Sequence, residues 1–87
     1  MAKTITADER IEKAQKLIQK AREIPVPEGI LGKRDLSYVA GVKDLLRQAR
    51  DLVKFIPMRA GITDEMKSKA QKVMEDIDLA NTEILHG

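Results

Sequence analysis

The sequence predicts an all-α protein, a small three-helix bundle with coiled-coil-like heptad packing. Apolar residues recur at alternating steps of three and four in three successive segments, which keeps one stripe of each helix facing a neighbour. Proline and glycine separate the three segments, and no segment has the pattern of a strand. The stripes are Ala7, Ile11, Ala14, Ile18 and Ala21; Val39, Val42, Leu46, Ala49, Val53 and Ile56; and Met66, Ala70, Val73, Ile77, Ala80 and Ile84.

Helix 1 is predicted over about residues 7–24. Thr6 and Glu9 have the spacing of a capping box, in which the Thr6 hydroxyl accepts from the Glu9 backbone N–H. Pro25 ends the helix, because a proline disfavours the helical conformation for the residue before it. The connector that follows, residues 25–33, contains two prolines and two glycines, so we expect no regular element there. Extended, it reaches roughly 30 Å and leaves the direction of helix 1 open.

Helix 2 is predicted over about residues 35–56, with Asp35 or Ser37 as its cap and Pro57 after its end. Thr63 caps helix 3, which is predicted over about residues 63–85. The connector between helices 2 and 3 is too short to cross a bundle, so the two helices are expected to form an antiparallel hairpin with helix 1 packed across them.

Composition favours one small domain over residues 1–87 with an aliphatic core, because Tyr38 and Phe55 are the only aromatic residues. The net charge of +2 is unevenly distributed. Residues 1–24 carry six basic and four acidic residues, and residues 34–59 carry six and three, whereas residues 62–87 carry three and six. This asymmetry either helps the helices select their neighbours or marks a binding face.

Catalytic chemistry has little support in the sequence, and we expect no enzyme activity, cofactor, metal or small-molecule substrate. The chain has no cysteine, and its single histidine, His86, stands next to the last residue. Glu83 and His86 have the spacing used by di-metal helical bundles, but those sites need a second such pair. The amino terminus does not resemble a signal peptide, and no apolar run approaches the ~20 residues that span a bilayer. We therefore expect a cytoplasmic protein without a membrane partner.

Apolar residues outside the stripes predict a protein-binding surface, and a non-catalytic interaction module or small accessory subunit is the function that the sequence favours. The partner is another protein or a second copy in a homodimer. For Phe55, Met58 and Ile62 themselves, the favoured interpretation is that they fold back as a lid over the open end of the bundle, and an exposed patch of Phe55, Met58 and Leu31 is the alternative. The candidate protein-binding residues are Leu31, Phe55, Met58, Ile62 and Leu79.

The alternative function is nucleic-acid binding through basic residues on helix 2. Four cations fall within an arc of about 60° opposite the apolar stripe, and spaced positive charge is what a phosphate backbone requires. They are Lys43, Arg47, Arg50 and Lys54, which we call the helix 2 basic row. Lys13, Lys16 and Lys20 form a second row on helix 1, the helix 1 lysines. A helix-turn-helix with its turn at Gly41 is less favoured than one continuous helix, because the heptad spacing continues through the glycine.

Overall fold

A computed structural model describes residues 6–86, which form three α-helices and two single-turn 3₁₀ helices, with no strand in that range. The helices are α1 (Ala7–Glu23), α2 (Leu36–Val53) and α3 (Asp64–Leu85). They pack on one another around a shared apolar core. The predicted all-α, three-helix bundle is confirmed.

The helices begin at side chains that satisfy their first backbone N–H groups. The Thr6 and Thr63 hydroxyls accept from the backbone N–H of Glu9 and Met66, each at 3.1 Å. The Asp35 carboxylate accepts from the backbone N–H groups of both Ser37 and Tyr38 and so caps α2. Of the two caps considered for this helix, the structure therefore uses the aspartate, and a residue with this role belongs before the helix rather than inside it.

The first connector differs from its prediction. It contains a single 3₁₀ turn over Gly32–Arg34, where no regular element was expected. Gly32 has φ of +48°, which side-chain-bearing residues rarely adopt, and its N–H donates to the Gly29 carbonyl at 3.1 Å. A single 3₁₀ turn involves only a few residues. Glycine in the connector is therefore compatible with this turn, although it disfavours a longer helix.

Helix 2 was predicted to end at Ile56 but α2 ends at Val53. Ile56–Met58 instead forms a 3₁₀ turn. Pro57 explains the early end, because it has no N–H to donate and its ring would clash with the Val53 carbonyl four residues earlier. Gly41, by contrast, does not interrupt α2, in agreement with the single-helix interpretation.

The core contains most of the predicted apolar stripes and one aromatic residue, whereas Ala7, Val39, Met66 and Ile84 of the stripes are only partly buried. Tyr38 is buried beside the stripes, so the expectation of a purely aliphatic core was wrong. Tyr38 lies four residues before Val42, which brings it to the core side of the first turn of α2. The buried residues are Ile11, Ala14, Ile18, Ala21, Tyr38, Val42, Leu46, Ala49, Val53, Ile56, Ala70, Val73, Ile77 and Ala80.

Contacts at both ends of the helices give their directions. The Arg10 guanidinium at the start of α1 donates to the Leu52 carbonyl near the end of α2 at 3.4 Å, while Ile24, after α1, approaches Gly41 near the start of α2. These two helices therefore run antiparallel. Arg22 and Glu83 join the carboxyl-terminal ends of α1 and α3 in an ion pair of 2.9 Å. At the other end of the bundle, the first half of α1 lines a groove together with residues 69–76 of α3. The beginnings of α1 and α3 are therefore close together, as are their ends, so the two helices run parallel.

Candidate interaction surfaces

The five candidate protein-binding residues do not form one patch. Leu31 precedes α2, whereas Phe55 and Met58 follow it, and eighteen residues of helix between them span roughly 27 Å. Leu79 stands alone on α3 with 53% of its surface exposed. Ile62 is half-buried and packs on the core. Four of the five side chains, all except Ile62, are exposed, but they lie at separate places on the bundle.

The end of the bundle that follows α2 is only partly covered by a lid. Ile62 packs against the core, as the lid interpretation requires, but Phe55 and Met58 stay exposed. Ile56, which the 3₁₀ turn directs inwards, is 1% exposed and closes this end of the core instead. The Lys54 ammonium lies 5.1 Å from the centre of the Phe55 ring, within the range of a cation–π contact.

The connector between α1 and α2 carries the densest group of exposed apolar side chains. Ile30 and Leu31 are the two central residues of the turn that the Gly29–Gly32 hydrogen bond closes, and Ile30 is fully exposed. Val26 lies earlier in the connector, and Leu36 is the first residue of α2, with 83% of its surface exposed. We call this group the connector patch: Val26, Ile30, Leu31 and Leu36.

Sequence reasoning found only one member of the connector patch. A usable signal was nevertheless present, because large apolar residues alternate with proline and glycine where no heptad stripe accounts for them. Leu36 was missed for a different reason. With Asp35 as the cap, Leu36 occupies the first helical position and falls outside the stripe that begins at Val39.

The helix 2 basic row is exposed, but carboxylates neutralise most of it. Arg47 pairs with Asp44 at 2.9 Å, Lys54 pairs with Asp51 at 2.9 Å, and Arg50 reaches across to Asp78 of α3. Lys43 has no carboxylate within ion-pairing distance among the described residues. Exposed pairs of this kind contribute little to stability, but they reduce the positive potential that a nucleic acid would meet.

The helix 1 lysines lie along the groove between α1 and α2, on the side away from α3. This open groove, of about 430 Å³, is lined by Lys13, Lys16, Leu17, Lys20, Gln48 and Leu52, and we call it the α1–α2 groove. Within residues 6–86, Lys16 is the one of these three lysines with a nearby carboxylate, that of Glu12 at 3.6 Å, and both side chains are largely exposed. Leu17 and Leu52 are half-buried and form an apolar floor between the lysines and Gln48.

Residues with catalytic potential do not converge in the described part of the chain. His86 is exposed beyond the last turn of α3, where its backbone N–H donates to the Thr82 carbonyl at 2.8 Å. Glu83 is engaged with Arg22 of α1. Within residues 6–86, no three histidine, cysteine, aspartate or glutamate side chains are grouped so that they could hold a metal ion. The helices in this range are also too short or too polar to cross a membrane.

Comparison of the chain with protein-family models, with curated proteins and with solved structures found no match.

Proposed function

We propose that the protein is a non-catalytic protein–protein interaction module that docks on its partner through the connector patch. The observation that carries this proposal is the concentration of exposed apolar surface. Among the described residues, seven large apolar side chains are exposed, and four of them lie within residues 26–36. A single exposed leucine is ordinary in a monomer, whereas four exposed large apolar side chains within one short connecting segment favour a surface that a partner covers.

The backbone of the connector supports the same proposal, because it restricts the conformations that the segment can adopt. Pro25 and Pro27 fix their own φ angles, and the Gly29–Gly32 hydrogen bond closes the turn that presents Ile30 and Leu31. A segment that is ordered before binding loses less conformational entropy in the complex. The turn is therefore suited to place its two apolar side chains in a pocket of the partner.

Charge balance gives the proposed interaction a recognisable property. Residues 25–36 contain Glu28 and Asp35 against Lys33 and Arg34, so the segment has no net charge. Binding through the connector patch is expected to be apolar in origin and insensitive to salt. Nucleic-acid binding would instead weaken steeply as salt rises. The ion pairs of the helix 2 basic row lead us to favour the protein partner.

The test is site-specific photo-crosslinking in the cells that make the protein. A photo-reactive amino acid replaces Leu31 in one variant and Leu79 in a matched control, since these leucines are 57% and 53% exposed. We expect a discrete crosslinked species from position 31 that is absent from position 79 and is lost when Ile30→Ser is added. Exposed substitutions of this kind change stability by about 0.5 kcal/mol or less, which circular dichroism checks.

Two outcomes would overturn the proposal. One is equal crosslinking from both positions, which would show that the connector patch has no special role. The other is the absence of any crosslink from position 31. A species of twice the mass of the chain would identify the partner as a second copy, in agreement with the homodimer considered from the sequence.

A further inference from the structure

The paired helices α1 and α2 carry apolar residues on two sides, and α3 occupies only one of them. Ile11 and Leu46 face the α3 side, where they line grooves together with Val73 and Ile77. The other side is the α1–α2 groove, to which no α3 residue contributes. A groove between two antiparallel helices can accept the side-chain ridges of a further helix.

The charged side chains that line the α1–α2 groove are lysines, although two of its lining residues contact carboxylates just outside it: Lys16 pairs with Glu12 at 3.6 Å, and Gln48 donates to Asp44 at 2.7 Å. Three lysines border it, and no carboxylate lines it among the described residues. The groove between α2 and α3 differs, because Asp78 lies there beside Arg50. Lysine side chains also contribute their aliphatic stems to an apolar surface while the ammonium groups stay in water. The α1–α2 groove therefore combines an apolar floor with a positive border.

The composition of α3, which packs on the opposite side of α1 and α2, indicates which kind of helix these two helices bind. α3 contains six acidic and three basic residues. Two of its carboxylates, those of Glu83 and Asp78, pair with Arg22 of α1 and Arg50 of α2. Its residues Ala70, Val73, Ile77 and Ala80 are buried in the shared core. An acidic amphipathic helix is thus the kind of element that matches the cations and the apolar surface of α1 and α2 together.

We propose that the α1–α2 groove binds an acidic amphipathic helix of a partner protein, on the side of the bundle opposite α3. Lys13 and Lys20 are seven residues apart, about 10 Å along α1, so they match carboxylates two turns apart on the incoming helix. Leu17 and Leu52 receive its apolar residues. A phosphate backbone matches the cations but leaves these leucines uncovered, and the groove offers no aromatic ring for base stacking.

The experiment uses the full chain and three helical peptides of equal length. The first has leucines in a heptad stripe and glutamates elsewhere, the second has lysines in place of the glutamates, and the third scrambles the first. Binding is measured by fluorescence anisotropy at low and high salt, and the contacted surface is mapped from methyl NMR shifts. We expect the first peptide alone to bind, to shift the Leu17 and Leu52 methyl signals and to bind more weakly at high salt.

Two charge-reversal variants of the protein distinguish binding to the groove from a general effect of the net charge. One replaces Lys13, Lys16 and Lys20 with Glu; the matched control replaces Lys67, Lys69 and Lys72 of α3 with Glu and changes the net charge equally. The groove variant is expected to bind the acidic peptide at least about tenfold more weakly, since three exposed ion pairs are lost and reversed. The control is expected to change the affinity much less. If charge reversal impairs folding, the corresponding Gln variants provide the same comparison.

Several results would overturn this proposal. They are no binding of the acidic peptide at millimolar concentration, equal binding of the lysine peptide, or shifts confined to the connector patch. If duplex DNA bound as tightly as the acidic peptide or more tightly, and shifted the same methyl signals, the groove would be assigned to a phosphate backbone. A dimer that forms without peptide and dissociates in the groove variant would assign it to a second copy. Because crosslinking from position 31 tests the connector patch, whereas the groove variant and the Leu17 and Leu52 methyl signals test the groove, failure here and failure of the proposed function are distinguishable.

Discussion

Replacing Gly41 with alanine is expected to stabilise the protein. Gly41 lies inside α2, where glycine is less favourable than alanine by about 0.8–1.0 kcal/mol. The added Cβ would find one neighbour outside the helix, Cδ1 of Ile24 at 4.0 Å, which is an ordinary van der Waals distance. Nothing therefore offsets the gain in helix propensity. We expect the free energy of unfolding to rise by about 1 kcal/mol and the Tm by roughly 4–8 °C, the usual scale for a domain of this size.

Gly61 provides the matched control, since the same substitution there is expected to have the opposite sign. Its φ is +78°, and a side chain in that region costs roughly 1–2 kcal/mol even though no atom lies within 4 Å of the added Cβ. Urea and thermal unfolding followed by circular dichroism measure both variants. A destabilised Gly41→Ala variant would refute the reasoning, because it would mean that α1 and α2 pack too closely at Gly41 to admit a methyl group.

Three further predictions concern the core, a helix cap and the basic surface. Ile56→Ala is expected to lower the free energy of unfolding by about 2–5 kcal/mol in urea titrations, whereas Met58→Ala, two residues away and 76% exposed, changes it little. Asp35→Ala removes two hydrogen bonds to the start of α2 and is expected to cost about 1 kcal/mol, with Asp35→Asn retaining most of the stability, measured in the same way. Neither the unchanged protein nor a variant with the helix 2 basic row changed to Glu is expected to raise the fluorescence anisotropy of labelled duplex or single-stranded nucleic acid at moderate salt. Salt-sensitive binding by the unchanged protein that disappears in the variant would instead support the nucleic-acid hypothesis.

Local sequence signals predicted the helices well because the interactions that define them are local. Thr6 and Thr63 cap helices within three residues, and Pro25 acts on the residue before it. The end of α2 was placed three residues too late because the apolar stripe continues to Ile56. Burial of Ile56 does not require an α-helix, and the 3₁₀ turn that Pro57 imposes directs the same side chain into the core.

The arrangement of surfaces was less predictable because it depends on helix direction. The nine-residue connector reaches either end of the bundle, so spacing alone could not show that α1 is antiparallel to α2. The separation of Leu31 from Phe55 does not depend on that direction, because α2 lies between them in the chain and its length alone splits the single predicted patch. The same direction brings Leu17 beside Leu52 and forms the α1–α2 groove, whose two walls are far apart in the sequence.

The two proposed surfaces differ in charge, and this difference makes their contributions separable in one complex. The connector patch belongs to a segment with no net charge, whereas Lys13, Lys16 and Lys20 border the groove without a lining carboxylate. Screening at ~1 M salt shortens the Debye length to about 3 Å and acts on exposed charge rather than on apolar burial. A partner that used both surfaces would therefore lose only part of its affinity as salt rises. The affinity that remains at high salt would be abolished by Ile30→Ser. The salt-sensitive share of the affinity would already be absent in the variant with Lys13, Lys16 and Lys20 changed to Glu.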